Sequence, residues 1–332
     1  MKLGLIIPGA RHAAFGRPAP NGMYFGSSYK IGEALRQVCD LEILRLDHPL
    51  LESDLAACDA AVVKADRSPT YALALGLGLP YVLVCHDVAT MRDPGYDQPD
   101  AEREMLESAA AVIFVTDPLH RYCEERYDLP PHEVVALRPL ARDLDFTPLP
   151  KLPGKTLVYA GGIVERHLAC TPWGYRVYHD IFAAAIAGGW RVYVHPALPR
   201  PRAVRELRAL GCIVKDSVPE SDLPRELSQY TAGLQAYNAC GVTPQGLRYA
   251  SLAWPNKTWL YLSAGIPTIG TNPGWESARI YGGRWGVVLD SLEDFGRIGA
   301  EDLPTITSQL RHSETIEQDL PKLRRLLAKV EL

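Results

Sequence analysis

The sequence is poor in the features that mark secreted, membrane and nucleic-acid-coating proteins. Its seven cysteines are scattered and never spaced as Cys-x-x-Cys, so they predict neither a disulfide framework nor a zinc site. No stretch approaches the roughly 20 apolar residues that cross a bilayer, and the apolar start is too short for a signal peptide. We therefore expect a cytoplasmic protein without a membrane span.

Excess positive charge is also lacking, because 35 basic residues face 39 acidic ones for a formal charge of −4. The two halves differ, however. Residues 1–150 carry 14 basic and 22 acidic residues, a net −8, whereas residues 151–332 carry 21 and 17, a net +4. An anionic ligand is therefore expected in the second half.

Short apolar or β-branched runs alternate with amphipathic runs along the whole chain, which is typical of α/β proteins with parallel sheets. A proline-rich run at 138–154 without periodicity predicts a linker. We expect two Rossmann-like domains, residues 1–150 and 151–332, that face each other across a cleft. No Gly-x-Gly-x-x-Gly follows the first strand, which argues against a nicotinamide-dependent enzyme.

The predicted elements are short. Strands are expected at 3–8, 41–45, 60–64, 81–85, 111–115, 134–137, 156–159, 191–195, 213–215, 233–237, 268–270 and 287–289. Helices are expected at 28–39, 68–77, 100–109, 118–127, 175–187, 200–210, 221–230, 257–264 and 315–330.

Open α/β sheets bind ligands beyond the carboxyl ends of their strands, where helix N-termini present free N–H groups. Asn256, Lys257 and Thr258 begin a predicted helix, and a lysine there opposes the helix dipole unless an anion binds beside it. Gly161 and Gly162 follow a predicted strand and would let the backbone approach a diphosphate. A solvated lysine and a plain tight turn are the structural alternatives.

Four segments, in chain order, resemble the GT-B glycosyltransferases, especially those of family 4. The segment Pro255–Ile269 is similar to their donor-site signature P-x-K-x-x-E-Y-x-A-x-G-x-P-V-I. The segments 111–116, 137–148 and 159–163 resemble their A-D-x-V-I-x-x-S stretch, their crossover between domains, and the strand and glycine turn that open their second domain.

The resemblance implies that an arginine and a lysine hold the pyrophosphate of a nucleotide-sugar donor, here Arg166 and Lys257. One departure concerns the glutamate that is expected to bind the nucleotide ribose, because Leu260 occupies its position. Glu276 could substitute for it, or could instead cap a helix. The identity of the donor therefore stays open.

Two segments of the first half are candidates for the acceptor side. Cys85-His86-Asp87 ends a predicted strand and resembles an H-D pair of family 4, so His86 or Asp87 could orient or deprotonate an acceptor hydroxyl. The alternative is a helix N-cap by Asp87. The long loop 9–30 mixes glycines, basic residues and aromatic rings, and its His12 is a second candidate base.

No metal or cofactor is expected beyond the nucleotide sugar itself. Asp143-Leu144-Asp145 matches the D-x-D motif of another glycosyltransferase fold, but it lies in the predicted linker. Nothing else in the sequence suggests clustered hard ligands.

We expect a metal-independent glycosyltransferase that moves a sugar from a nucleotide-sugar donor to an acceptor hydroxyl, and the resemblance favours retention of anomeric configuration. Asp87 or His12 would be the general base of an inverting enzyme. The acceptor could be a glycan, a small molecule or, as in phage-type enzymes, a hydroxymethylpyrimidine base of DNA. A non-catalytic nucleotide-sugar-binding protein is the other alternative, because of Leu260.

Overall fold

A computed structural model describes residues 1–7, 27–45, 51–64, 76, 78–88, 90, 99–171, 174–197, 200–219, 221–238, 242–252, 256–272 and 284–330. The described part of the chain forms two compact units. Each contains a six-stranded parallel sheet with flanking helices, which confirms the predicted α/β class.

The first unit contains Met1–Leu140 and Thr315–Leu332. Its strands are β1 (Lys2–Ile7), β2 (Asp40–Arg45), β3 (Ala60–Lys64), β4 (Tyr81–Cys85), β5 (Ala111–Phe114) and β6 (His132–Val134), in the sheet order β2-β1-β3-β4-β5-β6. Its helices are α1 (Ser27–Leu35), α2 (Leu51–Ala56), α3 (Pro99–Glu107), α4 (Asp117–Glu124) and α11 (Leu320–Ala328).

Strands β4 and β5 of this sheet are apolar throughout, and every residue of both is buried. Such continuous apolar runs suit a parallel sheet whose two faces are both covered. Helix α4 begins where the Thr116 hydroxyl accepts a hydrogen bond from the Leu119 N–H, with Pro118 in its first turn.

The second unit contains Ala141–Glu314. Its strands are β7 (Thr156–Gly161), β8 (Arg191–Pro196), β9 (Ile213–Val214), β10 (Ala232–Gln235), β11 (Thr268–Gly270) and β12 (Gly286–Val288), in the order β12-β11-β10-β7-β8-β9. Its helices are α5 (His179–Ala187), α6 (Pro201–Ala209), α7 (Leu223–Leu227), α8 (Pro244–Leu252), α9 (Asn256–Ala264) and α10 (Ser308–His312).

The units divide between Leu140 and Ala141 rather than at residue 150. The proline-rich run belongs to the second unit because its backbone is bonded there: the Leu149 N–H donates to Ser228 Oγ and the Leu152 N–H to the Gln229 carbonyl. Residues 315–332, expected with the second half, belong to the first unit instead.

The C-terminal segment is attached to the first unit by Asp319, whose side chain is 3% exposed. This carboxylate accepts hydrogen bonds from the Ala136 N–H at 3.3 Å and from Arg138 at 3.0 Å, and it pairs with Lys322 at 2.9 Å. Helix α11 also packs against β6 and α1.

Most predicted elements are confirmed, and the differences lie at short ones. Three helices were not predicted, namely α2, α8 and α10. The strand expected at 134–137 is β6, which ends at Val134. The last predicted helix starts as a 3₁₀ turn at Ile316–Asp319 before α11. Most of the helix predicted at 68–77 lies outside the described residues.

Candidate nucleotide-diphosphate site

The strand order of the second unit identifies one sheet edge as the place for a ligand. Its first strand, β7, is followed by β8 and β9 on one side and has β10, β11 and β12 on the other. The direction of winding therefore reverses between β7 and β10. In open α/β sheets the crevice for a ligand lies beyond the carboxyl ends of the strands at such a reversal.

Direct hydrogen bonding between strands β7 and β10 ends shortly before this edge. Their register runs only through Leu157 with Ala232 and Val158 with Gly233. Beyond that, the hydroxyl of fully buried Tyr261 accepts a hydrogen bond from the Ala160 N–H at 3.2 Å and donates one to the Leu234 carbonyl at 3.1 Å. The bridging hydroxyl satisfies backbone groups that would otherwise be buried without partners.

Gly161 and Gly162 lie at the end of β7, where the sequence predicts them. Gly161 has a φ of +150°, and a Cβ built there would lie 3.2 Å from the Tyr159 hydroxyl and 3.5 Å from Cδ of Lys257. Only glycine adopts this conformation without strain. The Gly162 carbonyl accepts a 2.7 Å hydrogen bond from the Tyr159 hydroxyl, which fixes the turn.

Lys257 lies in the first turn of α9, directly beside this glycine turn. Its Nζ is 5.1 Å from the centre of the Tyr159 ring and 5.9 Å from that of Tyr237. In the described part of the chain no carboxylate pairs with this half-buried amine. Burial and then the Arg176 charge lower the pKa of Lys257 to about 7.

Arg176 supplies the second positive charge of the site. It ends the 3₁₀ turn Gly174–Arg176, and its guanidinium lies 5.4 Å from the centre of the Tyr175 ring. A Cβ added to Gly162 would lie 4.0 Å from its Nη1, so Arg176 reaches the glycine turn. The Arg176 charge acts on Lys257, so two basic side chains lie near the N-terminus of α9, where an anion would be stabilised.

Two buried polar side chains near this edge have no hydrogen-bond partner among the described residues. Thr258, in the first turn of α9, is 1% exposed and its Oγ1 is unbonded. Gln235 ends β10, is 0% exposed, and both its amide N and its amide O are unbonded. Gly233 packs against Tyr261 of α9, and Gln235 faces the same side because strand side chains alternate.

Arg166 is placed differently from the expectation. Its guanidinium pairs with Asp180 at 3.1 Å, with both side chains about two-thirds exposed, at 66% and 67%. Its backbone N–H donates to Glu206. The structure thus joins Lys257 to Arg176 rather than to Arg166. Asn256 is the exposed first residue of α9.

On the first unit, His86 and Asp87 follow β4, as predicted. His86 Nε2 is buried and has no partner in the described chain. Burial, and secondarily the Lys64 charge, lowers the pKa of His86 to about 3, so the imidazole is neutral near pH 7. Asp87 is half-buried, and its carbonyl accepts a weak bond from Cys85 Sγ at 3.7 Å. His12 and Glu276 lie outside the described residues.

The sequence interpretation missed Arg176, Tyr237 and Gln235. A signal existed for the last two, since Tyr237 ends the strand predicted at 233–237, Gln235 lies two residues before that end, and ligands bind beyond the carboxyl ends of such strands. Arg176 had no such signal, because it was assigned to the start of a predicted helix and its burial among tyrosines depends on tertiary packing.

Solved structures with the same architecture cover nearly the whole chain. AviGT4, a glycosyltransferase involved in avilamycin A biosynthesis, has a TM-score of 0.57 at 15% identity, over 99% of this chain and 98% of that one. HepE from Anabaena, in complex with UDP-glucose, has a TM-score of 0.55 at 12% identity, over 99% and 97%. Sucrose-phosphate synthase from Thermosynechococcus elongatus has a TM-score of 0.57 at 10% identity, over 99% and 95%.

The chain has the GT-B fold. This confirms the predicted fold class and the GT-B resemblance, whereas membership of family 4 stays a prediction. No family model and no curated protein sequence matches the chain. Within the described residues, no helix is both long and apolar enough to cross a bilayer.

Proposed function

We propose that the chain is a glycosyltransferase that moves a sugar from a nucleotide-sugar donor to an acceptor hydroxyl, and that Lys257 and Arg176 bind the donor diphosphate. The observation that carries this proposal is the pair of positive side chains beside a glycine turn at the reversal point of the second sheet. HepE, a structural neighbour, was solved with UDP-glucose, so uridine nucleotides are the first probes.

The chemistry of glycosyl transfer explains why such a site would be useful. The sugar becomes cationic and the leaving diphosphate gains negative charge as the bond breaks. Lys257 and Arg176 would stabilise that charge, and the free N–H groups of the first turn of α9 would add to it. Because two fixed cations already neutralise the diphosphate, we propose that transfer needs no metal ion at this position.

The acceptor side is less defined. The resemblance to family 4 favours retention of anomeric configuration. A retaining enzyme does not need the general base that an inverting enzyme uses to deprotonate the acceptor. If the enzyme inverts, Asp87 is a better candidate base than His86, because the free nitrogen of His86 is buried. Residues 9–26, most of the loop that motivates a DNA acceptor, lie outside the described residues, so the acceptor class stays a prediction.

Binding of UDP and UDP-sugars to three variants tests the donor site. We expect Lys257→Met and Arg176→Gln each to weaken binding about ten- to hundredfold, the loss of one charge-assisted contact. Arg166→Gln is the matched control, because it removes an arginine that pairs with exposed Asp180. Isothermal titration calorimetry measures all three. Weak binding in Arg166→Gln with normal binding in Arg176→Gln would refute our assignment.

Turnover is tested separately from binding. The full chain, incubated with a bound donor and a panel of hydroxyl acceptors, should release nucleoside diphosphate faster than the Lys257→Met variant. Tight binding with no release of diphosphate under any acceptor would instead favour a non-catalytic nucleotide-sugar-binding protein.

A further inference from the structure

Two histidines and a glutamate of the first unit lie together, and none of them is assigned to the donor site. His120 and Glu124 are one turn apart on α4 and so share a face of that helix. His132 is the first residue of β6. Each side chain offers one ligating atom, and the three atoms lie within 4.8 Å of one another.

The tautomer of His132 leaves one ring nitrogen available to a metal ion. Its Nδ1 lies 2.8 Å from the carbonyl oxygen of Pro130. A carbonyl oxygen can only accept, so Nδ1 carries the proton and the lone pair of the neutral imidazole is on Nε2. Metal-binding histidines are held in this way, by donation of the other ring N–H to a carbonyl or carboxylate.

The surroundings of the cluster also suit a metal ion. The rings of His120 and His132 are 4.8 Å apart, and they lie 5.2 Å and 6.1 Å from the ring of fully buried Phe114. His120 Nε2 is buried and has no hydrogen-bond partner in the chain as described. Glu124 is exposed at the last residue of α4 and is free to adjust.

We propose that His120, Glu124 and His132 bind one divalent transition-metal ion of the zinc class. Two imidazole nitrogens and one carboxylate oxygen form a set that suits borderline ions such as Zn²⁺, and a water would complete the tetrahedron. The ion would join the end of α4 to the start of β6 across the intervening turn. It is distinct from the donor site, because all three ligands belong to the first unit.

Zinc titration of the full-length, chelator-treated protein tests this site by isothermal titration calorimetry. We expect one equivalent of Zn²⁺ to bind, and Glu124→Gln to weaken that binding at least tenfold. Glu125→Gln is the matched control. Glu125 is the next residue, 71% exposed, and it pairs with Arg126 instead of facing the histidines. This variant should bind zinc as the unmodified protein does.

A thermal unfolding scan gives a second readout that does not depend on activity. Zinc should raise the unfolding midpoint of the unmodified protein and of Glu125→Gln, but not that of Glu124→Gln. Because Glu124 is exposed, its substitution should leave the protein folded. Absence of a bound equivalent, unchanged binding in Glu124→Gln, or equal loss in both variants would each overturn the proposal.

Discussion

The perturbed amine of Lys257 predicts how donor affinity depends on pH. An ordinary lysine has a pKa of 10.5 and is fully charged from pH 7 to pH 9, whereas burial and the Arg176 charge lower the pKa of Lys257 to about 7. A bound diphosphate stabilises the ammonium and raises this pKa again. Donor binding above pH 7 therefore requires uptake of a proton, and affinity falls as pH rises.

The magnitude follows from the protonated fraction. About half of the Lys257 amines carry a proton at pH 7 and about one in a hundred at pH 9, so the dissociation constant should rise about fiftyfold over this range. Two of the neighbouring groups, Tyr159 and Arg176, do not add to the effect. Burial raises the pKa of Tyr159 well above its ordinary value, so that side chain stays neutral. Arg176 stays charged throughout.

Calorimetric titration with a UDP-sugar at several pH values between 7 and 9 measures this slope. A nucleotide sugar is preferable to UDP because its diphosphate carries a constant charge over the range. In Lys257→Arg the charge is retained at every pH, so affinity should be nearly flat. A flat profile in the unmodified protein, or an equal slope in Lys257→Arg, would show that this amine does not set donor affinity.

Three further predictions concern the framework. Tyr261→Phe leaves the buried Ala160 N–H and Leu234 carbonyl without this partner and should lower the free energy of unfolding by about 1–3 kcal/mol in urea titrations. A change near zero would contradict this prediction. Gly161→Ala should lower the free energy of unfolding by about 1–3 kcal/mol through backbone strain, and it should also weaken donor binding. Gly189 has a φ of +84° and nothing within 4 Å of an added Cβ, so Gly189→Ala should lower stability without affecting donor binding. Asp319→Asn removes the negative charge that pairs with Arg138 and Lys322 and should lower the free energy of unfolding by about 2–4 kcal/mol in the same assay, and full stability in this variant would mean that the charge is dispensable.

Much of the fold could be predicted because its strands are short apolar runs. The segments that became β3 and β4 have the predicted bounds, because a strand buried on both faces is a continuous apolar run, and only Lys64 at the end of β3 departs from that pattern. Helices α2, α8 and α10 were not predicted, and length does not explain this, because the predicted helix α7 is no longer than any of them.

The division into units could not be predicted from composition. A proline-rich run indicates irregular backbone, but it does not say which unit binds that backbone, and here Leu149 and Leu152 are bonded to the second. The return of the C-terminal helix to the first unit depends on buried Asp319, a contact with residues more than 180 positions earlier. Local pattern contains no information on such a contact.

For the same reason, the candidate site could be predicted only in part from the sequence. Lys257 and the glycines could be found because a helix start and a strand end have local signatures. Arg166 was named from the resemblance, whereas the half-buried position of Arg176 beside the glycine turn depends on tertiary packing. Which of the two binds a donor stays a prediction. The cluster of His120, Glu124 and His132 had no signal in the sequence, because β5 and β6 pair only in the folded unit.

A crystal structure of the protein with bound UDP tests the central claim most directly. Our account predicts phosphate oxygens about 3 Å from Nζ of Lys257 and from the guanidinium of Arg176, beside Gly161 and Gly162. A diphosphate bound at Arg166, or anywhere away from the reversal point between β7 and β10, would contradict it.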